Sequence, residues 1–166
     1  MKQAFLYGVA CGIALTMLAI AAIGWRASVH AEPSNNWATF SFASWHQERG
    51  RYNEINPGAG VELSLVDSRL KLIGGTYQNS LANNPKAPGG GQTNYAGFQI
   101  LPLQVRHVHF GFMAGIASGY SKDTYWRAGA VPMVAFEGKQ FGLNIMYVPP
   151  IQGLSMVFGF QFKARF

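Results

Sequence analysis

The residues of this chain best equipped for chemistry are His46 and the adjacent pair Asn79 and Ser80. A hydroxyl, an imidazole able to take its proton and an amide able to orient a group or stabilise developing charge make a set suited to acyl transfer. His46 and Ser80 are 34 positions apart, so only tertiary structure can join them. The alternative is that all three are hydrated surface residues of an ordinary kind. Other chemistries find less support. The single cysteine, Cys11, lies in an apolar N-terminal run, which leaves the rest of the chain without disulfides, thiolate nucleophiles or cysteine metal ligands. His107 and His109 share one face of a candidate strand, but no carboxylate stands near them in sequence, and no metal site is expected. The glycines closing Asn83-Asn-Pro-Lys-Ala-Pro-Gly-Gly-Gly91 follow no strand-to-helix pattern and do not read as a phosphate-binding loop.

What must position these residues is a set of short strands. In the last stretch Met156, Phe158, Phe160, Phe162 and Phe166 hold even positions, while Ser155, Gly159, Gln161, Lys163 and Arg165 hold odd ones. A period of two puts the sets on opposite faces. An aromatic face backed by small and polar residues suits a barrel wall with hydrocarbon outside. Phe110, Phe112, Ala114 and Ile116 alternate in the same way with His109, Gly111, Met113, Gly115 and Ala117, and Val61, Leu63 and Leu65 oppose Glu62 and Ser64. The strands expected are Trp37–Trp45, Pro57–Val66, Leu70–Gln78, Tyr95–Leu101, Val108–Ser118, Ala128–Phe136, Gln140–Val148 and Leu154–Phe166. The fold class is therefore all-β, an eight-stranded antiparallel transmembrane β-barrel, since several runs approach the ~9–11 residues that cross a bilayer.

Connections alternate between tight (Asp67–Arg69, Leu103–His107, Glu137–Lys139) and long (Gln47–Asn56, Asn79–Asn94, Gly119–Arg127, Pro149–Gly153). If alternate strands run outward, one rim collects Trp45 and His46, Asn79 and Ser80, Gly119 and Tyr120, and Tyr147. Simple alternation from Phe40 and Phe42 aims His46 at lipid, so the first strand must end or bulge before it. The strands starting at Leu70 and Ala128 do not alternate cleanly. Gly111 and Gly115 either leave room inside for a slim ligand or relieve crowding at a tightly curved wall. Trp37, Trp45, Tyr120, Tyr125 and Trp126 lie near strand ends, where aromatic girdles belong.

Composition agrees. At 166 residues there is room for one domain, and 12% charged residues is about half the usual share. Lys2, the apolar run Phe5–Ile23 and the small residues of Val29-His-Ala31 read as a signal peptide over 1–31, cleaved before Glu32 and leaving 32–166 as one outer-membrane domain. An uncleaved apolar helix is the alternative. Net charge is +6; without Lys2 and Arg26 the excess of bases falls to four, which suits anionic lipid headgroups or a solvated rim and is too sparse for nucleic acid.

Trp45-His46, Arg51-Tyr52-Asn-Glu54, Pro57-Gly-Ala-Gly60, Asn79-Ser80, Ala96-Gly97, His109–Gly115, Val131-Pro132 and Met146-Tyr147-Val-Pro149 occur in an order and spacing that resemble the lipid A palmitoyltransferase (PagP) family over nearly all of Trp45–Phe166. The resemblance implies an eight-stranded outer-membrane barrel that moves an acyl chain from a phospholipid donor to lipid A, without a cofactor. It implies a catalytic His46, with Asn79 and Ser80 where the family carries Asp-Ser. It assigns substrate contact or lateral lipid access to Arg51, Tyr52, Pro57, Pro132, Tyr147 and Pro149, and puts Gln99 at the cavity floor, where a larger side chain implies a shorter acyl chain. Departures are the amide at Asn79, which removes a negative charge, and the lack of an amphipathic N-terminal helix before the first strand. An esterase using the same residues, and a non-catalytic barrel serving adhesion or envelope integrity, remain the competing readings. Closure would leave no sticky edge, which points to a monomer.

Overall fold

A computed structural model describes residues 35–48, 52–66, 68–81, 91–120, 126–150 and 156–166. The leader, Arg51, Tyr125, residues 82–90 and the start of the last expected strand at Leu154 lie outside the described residues. The described chain is all-β: β1 (Trp37–His46), β2 (Ile55–Val66), β3 (Leu70–Gln78), β4 (Gln92–Val105), β5 (Val108–Ser118), β6 (Trp126–Glu137), β7 (Phe141–Val148) and β8 (Val157–Arg165). Each strand pairs antiparallel with the next, and β8 returns to β1, so the sheet closes into an eight-stranded barrel. β2–β3, β4–β5 and β6–β7 are joined by tight turns at one end, and the other connections are longer and share the opposite rim.

Hydrophobicity is inverted relative to a water-soluble fold. Phe40, Phe42, Leu72, Phe98, Phe110, Phe112, Phe136, Phe141 and Phe162 are exposed around the outside. The buried side chains are largely polar or charged: Thr39, Glu62, Lys71, Gln99, His109, Glu137, Asn144, Gln161 and Lys163. An outward apolar belt around a polar interior is the pattern of barrels whose outer solvent is hydrocarbon.

The turn-side half of the interior is filled by an ionic layer. Lys163 Nζ donates to Glu62 Oε2 at 3.0 Å and to Glu137 Oε1 at 2.7 Å, and Lys71 Nζ donates to the same two carboxylates. Gln99 Nε2 and Asn144 Nδ2 donate to the other oxygen of Glu62 at 2.8 and 2.5 Å. Two ammoniums and two carboxylates cancel, so the layer tolerates burial that would defeat any one of these charges alone.

Trp37 belongs to this layer. Its position at a strand start suggested a girdle residue, but the side chain is 0% exposed and lies under Arg165 (4.5 Å), Lys163 (4.9 Å) and Lys71 (5.7 Å from the ring centroid). Parity with the inward Thr39 decides its direction, and the cations meet the face of its ring. The two strands that lacked clean alternation are oriented by the same layer. β3 turns Lys71 and Ile73 inward with Leu72 out, and β6 turns Met133, Ala135 and Glu137 inward with Phe136 out. β4 is longer than Tyr95–Leu101, because its ladder resumes after a bulge between Ile100 and Leu103 that accommodates Pro102.

Candidate active site

β1 carries the irregularity that the position of His46 required. Opposite β8, Ser41 pairs with Gln161 and Ala43 with Phe160, so Phe42 is an extra residue, and the β1–β2 ladder slips at the same point. Phe40 and Phe42 both face out. Beyond the bulge the parity is reversed, which turns Ser44 and His46 inward and Trp45 outward. His46 is thereby 2% exposed, stacked on the ring of Tyr52 with centroids 4.7 Å apart and planes 15° apart. Its Nδ1 meets no hydrogen-bond partner among the described residues.

Ser80 reaches the same place from the β3–β4 connection. Its carbonyl accepts from Asn53 N (2.8 Å), which fastens that connection to the β1–β2 loop. Its hydroxyl lies 3.5 Å from Ser44 Oγ, two residues from His46 on the same inward face. His46 and Ser80 therefore line one cavity despite their separation in sequence. Asn79 does not join them. Its Nδ2 donates to Thr93 Oγ1 and Gly119 O, both at 3.2 Å, and its Oδ1 accepts from Leu81 N at 2.9 Å. The side chain is fully buried in holding the β3–β4 connection against β4 and the end of β5.

The cavity occupies the loop-side half of the barrel and encloses about 400 Å³, within the range of small-molecule sites. Its mouth carries His46, Tyr52, Ser44, Asn56 and Ser80, and its walls are mostly apolar, with Ile73, Met113, Val131 and Met146. At the bottom, Gln161 Nε2 donates to Tyr95 Oη (3.1 Å) and to Ser41 Oγ (3.3 Å). These three line the cavity, and Asn144, which does not, donates to Gln161 Oε1 at 3.0 Å and links the crossbar to the ionic layer. Tyr95 can span the lumen because Gly60 and Gly75 face its hydroxyl, which would lie 2.6 Å from a Cβ at either position. Gln99 sits in the ionic layer on Glu62 and does not line the cavity.

The wall has a seam. β6 and β7 pair only from Glu137↔Gly142 up to Met133↔Met146, although β6 pairs with β5 as far as Trp126 and β7 with β8 as far as Val148. The next residue of β6 is Pro132, which has no N–H to offer opposite Tyr147. Val131, Gly129 and Arg127 above it, and Val148 across from it, line the cavity, so the cavity reaches the seam. Tyr147 packs on Phe158 at 5.2 Å between ring centroids, and Pro149 follows the end of β7. On the opposite side the β2–β3 ladder stops at Gly58↔Tyr77, just before Pro57, and Asn56 Nδ2 reaches Gln78 O at 3.0 Å in its place.

At the other rim, His107 is exposed in a turn, while His109 points inward with Nε2 3.7 Å from Glu137 Oε2, a carboxylate that sequence proximity did not reveal. Among the described residues no group of three or more His, Cys, Asp or Glu is arranged to hold a metal. Neither a family model nor a curated protein matches this chain. Ser44, Asn56, Tyr95 and Gln161 are the site residues that sequence reasoning missed. Ser44 had one usable signal: a bulge that rescues His46 and falls before residue 44 also turns Ser44 inward.

Proposed function

We propose that this protein is a bacterial outer-membrane acyltransferase that moves a fatty acyl chain from a phospholipid to lipid A or a related lipid hydroxyl. The observation that carries the reading is the apolar cavity with His46 and Ser80 on its wall, continuous with an unpaired seam beside Pro132. An apolar slot of this kind accepts one hydrocarbon chain, and a seam in a hydrocarbon-facing wall lets a lipid enter from the side. The exposed apolar belt supports membrane insertion, and the leader supports export.

In the reaction, the acceptor hydroxyl oxygen bonds to the ester carbonyl carbon while His46 takes its proton. Ser80 donates to the carbonyl oxygen as charge develops there, and the ester bond to the lysophospholipid breaks as the leaving oxygen receives the proton from His46. No cofactor enters this sequence. Lipid A mass spectrometry of cells with and without the gene tests the proposal: one added acyl chain is expected, lost in His46→Ala. An unchanged pattern, or full activity in His46→Ala, defeats it. The occupation of Asn79 by loop contacts favours the rival reading of a non-catalytic barrel, for which His46→Ala and Ser80→Ala leave every lipid unaltered.

A further inference from the structure

We propose that Ser44 is the positioning residue for the Ser80 hydroxyl, and that Asn56, rather than Asn79, is the amide that orients the pair. The proposal rests on the acyltransferase reading of the same site.

The direction of each hydrogen bond follows from its neighbours. Asn56 Nδ2 donates to Gln78 O at 3.0 Å and faces Asn53 O at 3.5 Å, so the amide nitrogen is turned to the backbone and Oδ1 to the lumen. Ser44 Oγ lies 2.6 Å from that oxygen, which can only accept, so the Ser44 hydrogen points at Asn56. In the contact between the two hydroxyls Ser80 is then the donor, to a lone pair of Ser44. The order is Ser80 to Ser44 to Asn56, and all three line the cavity. Ser44 and Asn56 are 9% and 5% exposed, and the backbone of Ser44 is tied to Glu54 O at 2.9 Å.

The unequal lengths give the relay its use. The 2.6 Å bond fixes Ser44, whereas 3.5 Å is the outer limit of a hydrogen bond. Ser44 thus parks the Ser80 hydroxyl at the cavity mouth without competing with an ester oxygen that comes closer. Held at the mouth by a long contact, the Ser80 hydrogen has little to give up when it turns from Ser44 to the carbonyl oxygen as charge develops there. Asn79 cannot serve in this way, since both ends of its amide are occupied elsewhere.

The test uses the full chain folded in detergent micelles, with dipalmitoylphosphatidylcholine as donor and lipid A as acceptor, and heat-modifiable gel migration to confirm folding of each variant. Ser44→Ala is expected to lower kcat about tenfold with KM moved less than about twofold, and Ser44→Thr to recover kcat to within about threefold. Asn56→Leu is expected to lower kcat similarly, and the double variant to fall little further than either single one. A second arm needs no activity. In a Cys11→Ser, Ser80→Cys background, iodoacetamide alkylation of the new thiol is expected to change at least about threefold on Ser44→Ala and to return on Ser44→Thr. Wild-type kcat in Ser44→Ala, or alkylation indifferent to residue 44, overturns the relay. If the unaltered protein transfers no acyl chain, the acyltransferase reading fails and the alkylation arm alone decides the positioning.

Discussion

At the scale of single residues, Asn79 is the side chain whose role changed most between sequence and fold. Beside Ser80 in sequence, it stood as a candidate orienting amide; in space it braces the rim. Thr93 Oγ1 donates to Ser118 O at 2.9 Å and therefore receives from Asn79 Nδ2, which also reaches the Gly119 carbonyl. Asn79→Asp would set a carboxylate oxygen against the Gly119 carbonyl, which has no hydrogen, and against Thr93 Oγ1, whose hydrogen is committed to Ser118 O. Each buried group left unpaired costs roughly 1–3 kcal/mol. Asn79→Asp is expected to lower the midpoint of urea unfolding in micelles and to bring no gain in acyl transfer, even though the resembling family carries Asp there. Greater activity at unchanged stability would show that this side chain faces the reaction. Neither this bracing nor the Ser44–Asn56 contact was legible in the sequence, because each depends on loops that meet only when the barrel closes.

Strands were more legible than residues, and where they failed the cause is local. Period-two patterning identified the strands wherever an apolar outer face alternated with a small or polar inner one, as in β5 and β8. It failed in β6, whose inward residues Val131 and Met133 line or border an apolar cavity, so both faces read as hydrophobic. The prolines were legible as interruptions, and the fold shows what Pro132 interrupts. A residue with an N–H at this position could extend the β6–β7 ladder by pairing with Tyr147, narrowing the seam. Pro132→Ala is therefore expected to raise the unfolding free energy modestly, by ~1 kcal/mol, the net worth of one hydrogen bond, while lowering kcat/KM for a long-chain phospholipid several-fold. A water-soluble short-chain ester, which can enter from the loop side, should be turned over as before. Equal losses on both substrates would mean that the seam is not the lipid's route.

Across the whole molecule, the interior is divided into two tiers that do different work. The ionic layer closes the turn-side half, the Ser41–Gln161–Tyr95 crossbar caps it, and the cavity opens above. Glu62 is the hub of the lower tier, contacting Lys71, Lys163, Gln99 and Asn144 from four different strands. The isolated Glu62 in a period-two pattern marked an inward face in sequence, but its partners, spread from residue 71 to 163, could not be named before the barrel's register was known. Glu62→Gln keeps the shape and removes the charge, leaving two buried ammoniums against Glu137 alone. Loss of one partner from a buried ion pair costs about 3–5 kcal/mol, so a fall of that order in unfolding free energy is expected. Adding Lys71→Met should return much of it, because Lys163 and Glu137 then form a balanced pair at 2.7 Å and a hydrophobic side chain fills the vacated volume. Through both changes Gln161 keeps its bonds to Tyr95 and Ser41, so the cavity floor, and with it the length of acyl chain in the product, should stay as in the unaltered protein. A double variant no more stable than Glu62→Gln would mean that charge balance is not what seals the lower half.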